Sequence, residues 1–131
     1  MKTWVKCIAI ILVCLMPASC KSKPVPIVDG SVLYNEVIRI KIQKFRDAVD
    51  LSVPTTDRFL VNIEKIEEID EEIRGEIGYC YIYGKIDDPD GIYFGVKNGS
   101  YYISLKDEIV PWQIQNYTRE KIANNIYKIY R

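Results

Sequence analysis

Apolar side chains recur three or four residues apart between residues 31 and 50. Leu33, Tyr34, Val37, Ile38, Ile42, Phe45 and Val49 form the stripe, with Arg39, Lys41, Lys44 and Arg46 largely off it. That spacing predicts an amphipathic helix. Ile38, Ile40 and Ile42 also alternate, a shorter pattern that suits a strand. Pro54 within residues 52–56 predicts a break. Two periods then compete over residues 57–74. Phe59, Ile63, Ile66 and Ile73 mark a helical face interrupted by Asp70, which Asp57 would cap and Gly75 would end. Phe59, Val61 and Ile63 instead alternate, and the segment runs into strand material, so the expectation is a strand over residues 59–67 followed by a turn.

Between residues 77 and 105 the pattern is that of an antiparallel meander. Tyr79, Tyr81 and Tyr83 alternate with Cys80 and Ile82, so both faces of one strand are apolar or aromatic. Asp87, Asp88, Pro89, Asp90 and Gly91 read as a turn before a strand over residues 92–97. Asn98-Gly99 reads as a type I′ hairpin turn, which needs positive φ at both central residues, before a return strand over residues 100–105. After Pro111 and Trp112, a helix is expected from about Thr118, its stripe formed by Ile122, Ile126 and Ile129 or Tyr130, with Lys121, Asn125 and Lys128 outward. The fold class expected is α+β: an antiparallel meander sheet with one or two covering helices, forming a single domain over residues 31–131.

Residues 1–20 read MKTWVKCIAIILVCLMPASC. Lys2 and Lys6 precede an apolar run over residues 7–16, shorter than the roughly 18 residues that a membrane-spanning helix needs. Small residues then lead to Cys20. This segment resembles the signal peptide and lipobox of bacterial lipoprotein precursors, although Pro17 stands where that family usually has leucine. The resemblance covers the leader alone. It implies removal of residues 1–19, lipidation of Cys20, and a membrane tether over residues 20–30, whose Pro24 and Pro26 suit an extended chain. Lys21 and Ser22 lack the aspartate that marks inner-membrane retention in such proteins. The resemblance therefore implies a lipid-anchored protein of the cell envelope, at the outer membrane and facing the periplasm.

Loss of Lys2 and Lys6 leaves 16 basic against 18 acidic residues. Such a domain has no basic footprint for nucleic acid. The chain has no histidine, which excludes histidine-based nucleophile pairs and histidine metal ligands. Cys80 is the single thiol after Cys20, so an internal disulfide or a cysteine zinc site is excluded too. Its mid-strand place among aromatic residues suits an inert thiol. Aligned to a calcium loop, the Asp87–Gly91 turn puts Ile86 and Lys97 at essential ligand positions, so no metal and no cofactor is expected.

Two features suit a contact surface. Residues 64–76 hold seven acidic against two basic residues, with Glu67, Glu68 and Glu71 at the centre, either a solvated face or a complement to a basic partner. Tyr79, Tyr81 and Tyr83 share one side of a strand, where they either roof a core or offer contact area. The function expected is that of a non-enzymatic, membrane-tethered binding protein with a protein partner in the envelope. An immunity or inhibitor protein blocking an exported toxin or cell-wall hydrolase is the more specific version. An accessory lipoprotein of an envelope or secretion assembly is the alternative.

Overall fold

A computed structural model describes residues 27–52, 58–106 and 110–130. The leader, Cys20, the tether as far as residue 26 and the break around Pro54 lie outside these residues. Helix α1 (Gly30–Ile40) starts at Asp29, whose carboxylate accepts from the Val32 N–H at 3.0 Å and so satisfies one of the free first-turn donors. Val28 is already buried in the core, so the last residues assigned to the tether belong to the folded domain. The helix expected over residues 31–50 is present only to Asp47 and is divided, and of its expected stripe Ile38 is exposed while Ile40 is buried instead. Lys41 takes φ 83°, a conformation that side chains rarely adopt, and the chain re-enters helix as α2 (Ile42–Asp47).

The chain then pairs with itself. Val49 bridges Val61, and Ala48 and Asp50 exchange backbone hydrogen bonds with Asn62 and Leu60, both at 2.8 Å. Strand β1 (Arg58–Leu60) is consequently short. The strand expected over residues 59–67 stops at Val61, because the Asn62 side chain accepts from the Glu64 N–H and winds residues Ile63–Lys65 into a 3-10 turn. Ile66 and Ile69 then point into the core, and helix α3 (Glu71–Glu76) begins at an Asp70 cap. The helical alternative fails as well: its stripe residue Phe59 lies in β1, Asp70 does the capping, and Gly75, expected to end the helix, lies inside α3.

The meander is as expected: β2 (Ile77–Lys85), β3 (Asp88–Val96) and β4 (Gly99–Ser104) pair antiparallel in succession. Its turns sit earlier than their composition suggested. Lys85 pairs with Asp88, so Ile86-Asp87 is the first turn and Pro89, Asp90 and Gly91 lie in the strand. Val96 pairs with Gly99, so Lys97-Asn98 is the second. Asn98 does not take positive φ, so this turn is not type I′; Gly99 alone does, at 149°.

The helix expected from Thr118 is a hairpin instead. Strands β5 (Thr118–Ala123) and β6 (Ile126–Tyr130) turn at Asn124-Asn125, where Asn125 takes φ 65°. Asparagine tolerates that region better than other side chains. The outer edge of β4 would otherwise leave its backbone groups unpaired, and β6 fills it. One six-stranded antiparallel sheet results, in the order β1-β2-β3-β4-β6-β5. Helices α1 and α2 cover one face, where Leu33, Val37, Ile40 and Phe45 meet Ile82, Ile92, Phe94, Ile103 and Ile126. The result is an α+β fold, with the helices on one face and a different kind of surface on the other.

Candidate functional site

The second face of the sheet is built from tyrosine. Alternation places Tyr79, Tyr81 and Tyr83 of β2 on it, joined by Tyr93 of β3, Tyr102 of β4, and Tyr127 and Ile129 of β6. The rings fit because β3 reads glycine, tyrosine, glycine along this face. A Cβ on Gly95 would lie 2.2 Å from the Tyr79 ring, and one on Gly91 would lie 2.2 Å from the Tyr102 hydroxyl oxygen. The rings of the flanking strands therefore lie across bare backbone on either side of Tyr93. Tyr79 stacks on Tyr93 at 5.9 Å between centroids, and Tyr83 meets Tyr93 and Tyr102 edge-on at 6.1 and 6.2 Å. Such geometries suit the ring quadrupole.

The cover over this face is partial. A 3-10 turn (Trp112–Ile114) lays Ile114 on the tyrosine cluster, with Val110 beside it, and Tyr83, Tyr93, Tyr102 and Tyr127 are buried. Burial pushes the Tyr102 and Tyr83 hydroxyls above the usual tyrosine range; Arg58 partly offsets the rise at Tyr83. Tyr79 and Tyr81, packed against the same cluster, are half-buried and keep partial exposure among the described residues. Their rings lie 5.7 Å apart, the Arg58 guanidinium sits 4.6 Å above the Tyr81 ring, and Leu60 pairs with Tyr81 across the strands. Aromatic rings with an arginine laid over them form an amphipathic, pre-ordered patch.

The three tyrosines singled out in the sequence therefore share a face and divide by role: Tyr83 packs in the interior while Tyr79 and Tyr81 present their rings. The acidic residues lie elsewhere. Glu67, Glu68 and Glu71 are exposed, and they flank Ile66 and Ile69, which pack into the helix-covered core. Glu68 lies 3.3 Å from Lys44 of α2. Its own backbone N–H, and then Lys44, hold its carboxyl below the usual range. Glu64 and Glu76 pair with Arg74 and Lys97. Arg74 also donates to the carbonyls of Ile66 and Ile69, so part of this charge fastens the segment to the domain. Glu64, at the start of the acidic segment, and Tyr79 line one open cleft, which Glu67, Glu68 and Glu71 do not line.

Cys80 is fully buried on the helix side, and burial pushes its thiol well above the ordinary range. Asp88 and Asp90 both hold the Lys106 ammonium, at 2.8 and 3.0 Å. Arg58, Gly95 and Ile114 were not singled out in the sequence, and Gly91 was read there as a turn residue. The alternation of Gly91, Tyr93 and Gly95 between tyrosine-bearing strands was the one available signal. No protein-family model, curated protein or solved structure matches this chain.

Proposed function

We propose that this protein is an envelope lipoprotein, tethered through Cys20 at the outer membrane and facing the periplasm, that acts without catalysis by binding another protein. The carrying observation is the part of the tyrosine face where, among the described residues, Tyr79 and Tyr81 keep partial exposure beside Arg58. Tyrosine and arginine supply contact area at low entropic cost, and the rings are held in place by the strands beneath them. The most specific form of the reading is an immunity or inhibitor protein that occludes an exported toxin or cell-wall hydrolase. In this form the aromatic patch serves as anchor and inhibition is steric. Glu67 and Glu71 act at most as a separate steering surface, because Glu68 is engaged with Lys44.

Affinity isolation of the full chain from envelope extract tests this reading. One stoichiometric hydrolase or toxin, lost when Tyr79 and Tyr81 are both replaced by alanine, is the expected result. Recovery of several assembly components would favour the accessory role, and an unchanged partner with the double variant would remove the tyrosine patch from the account. Labelling with radioactive palmitate tests the tether: label enters the native chain and is absent from Cys20→Ser.

A further inference from the structure

The 3-10 turn that places Ile114 on the tyrosine cluster turns Trp112 outward, and Trp112 is 66% exposed. Beside it lies an open cleft of about 600 Å³, lined by Lys85, Asp88, Asp90, Lys106, Trp112 and Gln115 among others. That volume falls within the range of small-ligand sites, about 300–1,000 Å³. Among the described residues, the charged side chains in the lining are two lysines and two aspartates. Lys106 donates to Asp88 and to Asp90, and all three side chains line the cleft. An incoming anion would meet both carboxylates. An incoming metal cation would have to displace the ammonium.

A neutral ligand rich in hydroxyl groups meets neither obstacle. Each carboxylate oxygen has two acceptor sites, so both groups keep capacity after bonding one ammonium. The hydroxyls of a sugar ring can donate to them, and the ring's C–H face suits the flat, exposed indole. We propose that the cleft between Trp112 and the Asp88–Lys106–Asp90 cluster binds a neutral oligosaccharide. This site is separate from the Tyr79–Tyr81 patch and does not rest on protein binding.

The test uses the full chain carrying Trp4→Phe, which leaves Trp112 as its only tryptophan. Trimers of glucose in α and β linkage and of N-acetylglucosamine are titrated in, with indole emission and calorimetry as readouts. A saturable blue shift with at least one neutral trimer is expected. In calorimetry Asp90→Asn weakens that binding by about tenfold, the scale of one charge-assisted hydrogen bond. Trp112→Ala abolishes it and Trp112→Phe retains part of it, all with unchanged far-UV circular dichroism. No saturation with any trimer up to its solubility limit, full binding by Trp112→Ala, or binding confined to a charged saccharide such as a heparin fragment would each overturn the proposal.

Discussion

On one face of the sheet Ile82, Ile92, Phe94 and Ile103 lie fully buried beneath α1 and α2; on the other, Tyr93 and Tyr102 are buried as deeply, but each carries a hydroxyl into the interior. The first face is closed by two helices and made of side chains with little to offer except contact. Among the described residues the second is closed by Ile114 and Val110, and its rings continue to the partly exposed Tyr79 and Tyr81. Among the described residues the Tyr102 hydroxyl has no hydrogen-bond partner. A buried hydroxyl without a partner costs about 1–3 kcal/mol. The comparison separates a face selected for burial from one that gives up some stability and keeps an ordered aromatic surface in reach of solvent.

The largest effect is expected on the helix-covered face. Phe45 is fully buried and meets Phe94 edge-on at 6.2 Å. Phe45→Ala should lower unfolding free energy by about 3–5 kcal/mol, read from urea midpoints. The tyrosine face should respond more to added volume. Gly91→Ala drives a methyl into the Tyr102 ring and should cost about 1–3 kcal/mol. Tyr102→Phe removes the atom nearest that methyl, so the double variant should lose less than the two single effects combined, in the same urea series.

Tyr102→Phe alone should leave stability unchanged or raise it by up to about 1 kcal/mol. It should also blunt alkaline unfolding. Burial raises the Tyr102 pKa, so the fold favours the neutral phenol. That contribution is complete below the ordinary tyrosine pKa of about 10 and declines as pH rises beyond it. Melting curves recorded through that range should fall less steeply for the phenylalanine variant.

Smaller effects belong to the open surfaces. Tyr79→Ala and Tyr81→Ala should each shift stability by about 1 kcal/mol in urea titrations, while partner capture is lost. The Lys106 cluster should have the smallest effect. Its lysine is held above the usual range by Asp88 and then Asp90, and Asp88 is held below the carboxylate range by Lys106. Its contribution therefore stands across neutral pH, falls as acid protonates Asp88, and falls again as alkali deprotonates Lys106. Lys106→Met should flatten both limbs of the melting profile slightly, and more at low salt than at high.

The helical stripe over residues 31–50 and the meander from residue 77 were legible because each shows one dominant period over many residues. The hairpin at residues 118–130 was not. Ile122 and Ile126 lie four apart, a spacing that suits one face of a helix and one face of a strand equally. Ile126 and Tyr127 are both buried because the sheet is covered on both sides there, which erased the alternation that would have marked a strand. Asn124-Asn125 was the available sign of a turn.

In the candidate site, the shared face of Tyr79, Tyr81 and Tyr83 followed from alternation. Which of them is covered depends on Ile114, more than thirty residues away, and no local pattern reports that. Gly91 read as a turn residue because it follows aspartates and proline, whereas its place in β3 gives room to a ring from the next strand.

The decisive measurement is photo-crosslinking in living cells, with a benzophenone side chain placed at Tyr81 in one strain and at Ile38, exposed on α1, in another. One discrete adduct to an envelope protein from position 81, with none from position 38, is the predicted outcome. Adducts from the helix and silence from the strand would show that the aromatic face is interior packing alone.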